Sequence, residues 1–319
     1  MKILFYAVNG LGLGHVTRLL AMAREIRKLK PRWEILFITT SESDALYREG
    51  FASVKLPSKT VARATGMSVP GHLSILHQAA WSVFASFKPD TTVVDTFPEG
   101  FAHELDQVLR WEESKFVYVF RQRREVKLND RYFQSLLRRY RLILVPHNPG
   151  EEGIRITGND RVVHTGPILI RGRRDLRDAD EVKRAYGLPQ DKKLILINMG
   201  GGGQAGLETI LGKIVRAVNG VPGCYPVAAL GGLSPDMALS GCGIIRGCYP
   251  VCELYKAFTG IIAGCGYNTV HEVLYFRKPG IFIPFERTVD DQERRALWVK
   301  EKGAGLTADP GNLDMISGL

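Results

Sequence analysis

A histidine closes a glycine-rich turn near the start of the chain, and a glutamate follows another glycine turn near its end. The first turn is Asn9-Gly10-Leu11-Gly12-Leu13-Gly14-His15, set between an apolar run and a helical pattern. A histidine placed there can cap its own loop. It can equally project into a site, where an imidazole takes a proton from a hydroxyl or holds an anionic oxygen. The second stretch is Gly264-Cys265-Gly266-Tyr267-Asn268-Thr269-Val270-His271-Glu272. Gly264 and Gly266 imply a turn too tight for side chains, and Asn268 and Thr269 are candidate helix caps. A helix N-terminus at such a turn favours phosphate. Glu272 and the later pair Asp291-Gln292 stand where polar groups can reach a sugar. A third glycine run, Gly200-Gly201-Gly202-Gly203-Gln204, lets a diphosphate meet the backbone directly. It is no Walker loop, because no Lys-Ser/Thr follows the glycines.

These residues need strands to deliver them and helices to follow them. Lys2 to Val8 reads as a buried strand, and Val16, Leu19, Leu20, Ala23 and Ile26 recur at helical spacing after it, with Arg18, Arg24, Arg27 and Lys28 on the other side. Strands are predicted at Ile35–Thr39, Val54–Leu56, Thr91–Val94, Phe116–Phe120 and Leu142–Val145, giving a first sheet of about six. Pro57 to Pro70 reads as a long loop, and Val162 to Ile168 as a connector. Thr91–Val94 delivers Asp95-Thr96-Phe97-Pro98-Glu99 at its carboxyl end, where open α/β sheets bind ligands. Asp95 and Glu99 are therefore further candidates for a base, with Asp95 as a helix cap the plainer alternative. The second half repeats the pattern, with strands at Lys193–Asn198, Tyr225–Leu230, Ile244–Arg246, Gly260–Ala263 and Gly280–Phe285, and glycine exits after most of them.

At 319 residues, 45% apolar and 24% charged, the chain suits two globular α/β domains. No run of about 18 apolar residues suggests a membrane span. The five cysteines all fall in the second half, an odd count that argues for reduced thiols and a cytoplasmic setting. Cys248 and Cys252 lack partners at zinc spacing, and Asp178-Ala179-Asp180 reads as the first turn of a helix, so no metal is expected. Gly10-x-Gly12-x-Gly14 misses the dinucleotide spacing, and no acid ends the second strand. The net charge of +10 suits an anionic surface or substrate. Nucleic acid is not expected, since aromatics are not interleaved with the basic runs.

The motifs resemble the GT-B glycosyltransferases of the MurG type, with a family-28-like C-terminal half. Gly12-x-Gly14-His15 carries the likeness at one end. Gly201 to Gly206 opens the second half, and Gly266-x-x-Thr269-Val270-x-Glu272, Pro279, Ile283-Pro284-Phe285, Gln292 and Lys302-Gly303-Ala304 carry it at the other end. The resemblance implies two Rossmann-like domains, 1–163 and 164–319, with parallel sheets facing across a central cleft. It implies inverting, metal-independent transfer of a hexosyl group from a UDP-type donor to a hydroxyl, with no cofactor besides that cosubstrate. Glu272 would take the ribose, and Gly202, Gly203 and Gln204 the diphosphate. Cys248 and Tyr249 would meet the base, and Asp291 and Gln292 the sugar. His15 would act on the acceptor, which can be lipid-linked and met at the inner face of an anionic membrane. Asp291-Gln292 stands where the family often has Gln-Gln, and the chain ends at Leu319, where such enzymes usually carry further helices, so either a truncated C-terminus or a reduced member of the family is expected. A nucleotide-sugar hydrolase or epimerase, or a non-catalytic sugar-nucleotide binder, is the alternative on the same fold.

Overall fold

The computed structural model describes residues 1–8, 12–111, 113–121, 131–151, 161–201, 206–231, 234, 236–287 and 290–318, with the side chains of 314, 315 and 317 left aside. The chain forms two compact units, Met1–Ile168 and Leu169–Leu319.

In the first unit the elements run β1 (Lys2–Ala7), α1 (Gly14–Leu29), β2 (Glu34–Thr39), α2 (Ala45–Arg48), β3 (Ala52–Lys55), α3 (Lys59–Ala64), α4 (Val69–Phe87), β4 (Thr91–Asp95), β5 (Lys115–Val119), α5 (Arg131–Leu137), β6 (Leu142–Val145) and β7 (Val162–His164). The sheet order is β3-β2-β1-β4-β5-β6-β7, and every pairing is parallel. Such strands are buried on both faces, which is why β1 reads as an unbroken apolar run. Aromatic side chains fill one side of the sheet, with Phe84, Trp111, Phe116, Tyr118 and Tyr140 in mutual ring contact.

Three expectations change here. The connector at Val162 holds the seventh strand: Val162 to His164 pair with Ile143 to Val145, and Thr165 N–H donates to the Val145 carbonyl at 2.9 Å. The boundary between units therefore falls after Ile168 rather than at 163. The loop expected at Pro57–Pro70 contains α3 and the first turn of α4. Serine caps start both: Ser58 Oγ accepts from Val61 N–H, and Ser68 Oγ accepts from Gly71 N–H with Pro70 in the first turn. Arg18, expected on the outer face of α1, is the bulkiest of the fully buried side chains.

The second unit runs α6 (Ala179–Ala185), β8 (Lys193–Asn198), α7 (Leu207–Asn219), β9 (Cys224–Leu230), β10 (Gly243–Arg246), a 3-10 helix (Val251–Ala257), β11 (Gly260–Gly264), α8 (Tyr267–Tyr275), β12 (Gly280–Ile283), α9 (Gln292–Glu301) and β13 (Leu306–Thr307). Its sheet order is β10-β9-β8-β11-β12-β13, again parallel throughout. Asp178 caps α6 by accepting from Asp180 and Glu181 N–H, so the Asp-x-Asp letters serve a helix start.

Each sheet has a switch point, where successive connections leave in opposite directions. In the first unit it lies between β1 and β4, and in the second between β8 and β11. Ligands of open α/β sheets bind outside the carboxyl ends of the strands at that point. His15 follows β1 and Asp95 ends β4; the Gly200 run follows β8 and Gly264–Gly266 follows β11.

Candidate active site and nucleotide site

In the first unit α1 begins at Gly14, so His15 is its second residue and Arg18 lies about one turn further on. Residues three apart share a helix face, and both side chains meet Asp95. Arg18 Nε donates to Asp95 Oδ2 and Arg18 Nη2 to Asp95 Oδ1, each at 2.8 Å. His15 Nδ1 lies 3.1 Å from Asp95 Oδ1. An ionised carboxylate only accepts, so Nδ1 carries the proton and Nε2 is left with its lone pair, the form a general base needs. The His15 side chain is 16% exposed and that of Asp95 not at all. The Phe97 ring centroid stands 5.7 Å from the imidazole.

The turn behind Asp95 is held by three hydrogen bonds. Thr96 has φ +67, a left-handed conformation that a β-branched residue rarely adopts. Its N–H donates to the Val119 carbonyl, its carbonyl accepts from Tyr118 Oη at 2.8 Å, and its hydroxyl donates to Asp95 Oδ1. Strain of this kind gathers at functional turns.

Burial lowers the His15 pKa, the neighbouring Asp95 raises it, and Arg18 and Arg121 lower it again, leaving it below its ordinary value. The imidazole is therefore neutral at neutral pH. Burial opposes ionisation of Asp95, but Arg18 and His15 outweigh it and hold the carboxyl far below the usual carboxylate range. Asp95 thus neither caps a helix nor accepts protons; it orients His15. Glu99 is placed differently, beside Tyr140, where its charge adds to burial in raising that phenol. Glu99 Oε2 is buried without a hydrogen-bond partner. Because breaking a buried ion pair strands its partner, Asp95→Asn is expected to destabilise the first unit by about 3–5 kcal/mol. Urea unfolding checks this. The stabilisation is present above the ordinary carboxylate pKa and is lost only as pH falls through the lowered one.

In the second unit β8 ends at Asn198, whose Oδ1 accepts from Gly200 N–H at 3.1 Å. Gly200 has φ +87. A Cβ on Gly231 would stand 2.7 Å from the Gly201 backbone, so glycine there lets the exits of β8 and β9 pack backbone to backbone. Gly202, Gly203 and Gln204, the expected diphosphate residues, lie outside the described residues.

The turn after β11 differs from expectation in two ways. Gly264 is tight, since a Cβ there would stand 3.3 Å from the Phe285 ring, whereas the corresponding space at Gly266, as at Gly12 and Gly14, is open. Gly266 itself is the N-cap of α8, and no side chain caps the helix. Asn268 and Thr269 are its second and third residues, past the cap position. The start of α8 thus has a glycine N-cap with open space where a Cβ would stand.

Glu272, one turn on, is buried. Burial pushes its pKa up to about 8, against a pull downward from Arg171. Arg171 is itself paired with Glu253. Cys248 and Tyr249 are half-buried on the turn after β10, and Cys248 hydrogen-bonds to Tyr186.

Asp291 and Gln292 part company. Asp291 Oδ1 caps α9 by accepting from Arg294 N–H at 3.0 Å. Gln292 is buried; its Oε1 accepts from Phe285 N–H at 3.0 Å and its Nε2 donates to Asp290. Its amide braces the loop instead of reaching out from it. Arg295 completes the brace, donating to the Cys265 carbonyl at 2.7 Å and to Asp290 Oδ1 at 2.8 Å. Neither Arg18 nor Arg295 was expected in these roles. The i, i+3 spacing of His15 and Arg18 was the available signal for the first.

Among the described residues no cluster of three or more His, Cys, Asp or Glu side chains could hold a metal ion, and no helix is long and apolar enough to cross a membrane.

No family model matches the chain. It is 29% identical over 160 residues to an uncharacterized glycosyltransferase of Methanopyrus kandleri, covering 48% of this chain and 43% of that protein. It is 24% identical to the UDP-N-acetylglucosamine–N-acetylmuramyl-(pentapeptide) pyrophosphoryl-undecaprenol N-acetylglucosamine transferase of a Nocardioides species, over 94% of this chain and 83% of that one. Among solved structures, the spinosyn forosaminyltransferase SpnP superposes with a TM-score of 0.70 at 16% identity, over 100% of this chain and 88% of that one. The fold is that of the GT-B glycosyltransferases, and the relatives are MurG-type transferases and an uncharacterized glycosyltransferase.

Proposed function

We propose that this GT-B chain is a nucleotide-sugar glycosyltransferase that moves a hexosyl group from a UDP-sugar to a hydroxyl, with inversion and without a metal. The observation that carries it is the His15–Asp95 pair at the switch point of the first sheet, with a neutral imidazole Nε2. The first unit supplies the base. His15 takes the acceptor proton as the oxygen attacks the sugar carbon, and Asp95 steadies the imidazolium that results. The second unit holds the donor. Glu272 accepts from the ribose hydroxyls, the glycine exit of β8 and the start of α8 meet the diphosphate, and Cys248 and Tyr249 flank the base. Asp291 takes a sugar hydroxyl. The leaving diphosphate is stabilised by backbone amides, the role a divalent ion plays in other transferases.

The finer reading is a lipid-linked acceptor, met at the inner face of an anionic membrane. It is supported by the net charge of +10 and by exposed Val69, Leu73 and Phe101 in the first unit, with Lys59 over the Phe101 ring. The undecaprenol-linked acceptor of the Nocardioides transferase points the same way.

A thermal-shift screen of nucleotide sugars tests the proposal. A true donor at 100 times its Kd adds about 2.7 kcal/mol of stability. UDP-sugars are expected to stabilise the protein, and product formation with an acceptor-containing lysate to survive EDTA. No shift with any nucleotide sugar would sink the donor reading, and loss of turnover on chelation the metal-free one.

A further inference from the structure

We propose that Arg18 is a positioning residue of the base: its guanidinium takes both oxygens of Asp95, fixes the edge of the carboxylate that His15 meets, and withholds part of that carboxylate's charge from the imidazole. The proposal rests on the reading of His15 as the base.

The geometry is specific. Nε and Nη2 of Arg18 each donate at 2.8 Å to a different oxygen of Asp95, and a planar fork of two parallel N–H bonds leaves a carboxylate no freedom to rotate. His15 Nδ1 then meets Oδ1 at 3.1 Å, an oxygen already shared with Arg18 and with the Thr96 hydroxyl. Arg18 is 1% exposed, so the ion pair is not weakened by water. Its depth is unexplained by packing alone, since an apolar side chain would fill the same space without a desolvation cost.

Charge supplies the second half of the case. A histidine facing a lone carboxylate is drawn toward its protonated form, whereas a general base has to be neutral when the acceptor arrives. Among the described residues, the charged groups that act on His15 are Asp95 from β4, Arg18 from its own helix and Arg121 from the segment after β5. The Phe97 ring lies against it as well. One anion therefore stands against two buried cations. Burial is the largest cause of the lowered basicity of His15, and Arg18 and Arg121 add to it against the upward pull of Asp95. Arg18 differs from a structural arginine in that its effect is read at a different residue.

The test is the NMR titration of the carbon-bound imidazole protons of His15, assigned by their loss in His15→Ala, together with the pH profile of turnover. Arg18→Gln removes the cation and keeps one donor to Asp95. Its His15 midpoint is expected to rise by roughly one pH unit or more, and the acid limb of turnover to move with it. Arg18→Lys keeps the charge and loses the fork. Its midpoint is expected to stay close to wild type, while kcat falls roughly tenfold or more at unchanged donor KM. A midpoint that stays or falls in Arg18→Gln overturns the proposal, as does an unchanged kcat in Arg18→Lys. If Arg18→Gln does not fold, Arg18→Lys decides by itself. Full activity in His15→Ala would end the base reading instead, an outcome the NMR midpoints distinguish from failure of the Arg18 proposal.

Discussion

His15→Ala is expected to lower kcat by about 10²- to 10⁴-fold, the contribution of a well-placed general base, while donor affinity holds. The split follows from the division of labour: His15 belongs to the first unit and the nucleotide residues to the second. Asp95 fixes the tautomer of His15, and on the proposed reading the donor is held by residues of the second unit. The pH profile follows from the same environment. Burial, Arg18 and Arg121 outweigh Asp95, so the imidazole gains its proton only below its ordinary value of 6.5. Turnover should therefore be flat through neutral pH and fall as pH drops through that lowered value, because the protonated ring accepts nothing. Steady-state kinetics from pH 5 to 8 would show it. An acid limb above neutrality, or one that persists in His15→Ala, would remove His15 from the role.

The second large effect belongs to Glu272 and lies in binding. Its carboxyl is buried, with its pKa at about 8. A ribose diol offers two donors to that carboxylate. Hydrogen bonds to a charged group contribute about 1.5–3 kcal/mol each, so Glu272→Ala, which removes both, should weaken UDP binding by roughly 150-fold or more. On the proposed reading the diol is recognised by the ionised form. Affinity in the wild type should therefore climb as pH rises toward 8 and level off above it, with a proton released on binding at neutral pH. Stability runs the other way. The folded state keeps a proton on Glu272 between 4.5 and about 8 that the unfolded chain has released, so this group's contribution falls as pH rises through that window. Glu272→Gln should then be more stable than wild type at pH 8 by on the order of 1 kcal/mol, yet bind nucleotide poorly. Calorimetric titration with UDP at pH 6 and 9, beside thermal melts, measures both. A pH-independent affinity in the wild type would refute the assignment.

Much of the architecture was legible because parallel strands buried on both faces write themselves as apolar runs. Lys193–Asn198 and Leu142–Val145 are found in the structure at those residues. The glycine exits marked the carboxyl ends of the strands, and with them the switch points. Val162–His164 was not legible, since three residues at a sheet edge carry too little pattern to stand out from a connector. Helix α3 escaped because six residues do not complete a second turn and so show no repeating pattern, although Ser58 was in place as its cap. At the site, His15 and Glu272 stood out by type and setting. Arg18 did not: helical periodicity assigns charged residues to the outer face, and its partner lies 77 residues away in sequence. Gln292 showed the opposite error. It was expected to face a ligand, but its amide is held by Phe285 N–H and Asp290, contacts that only the folded loop creates.

The most direct measurement is UDP release from a UDP-sugar by the wild type and by His15→Ala, followed by mass spectrometry with and without an acceptor fraction prepared from a lysate. Transfer with His15 as base predicts UDP release that requires the acceptor fraction, appears with a hexosylated product, and drops about 10²-fold or more in His15→Ala. Release at the full rate without acceptor, or at the same rate in His15→Ala, would contradict it.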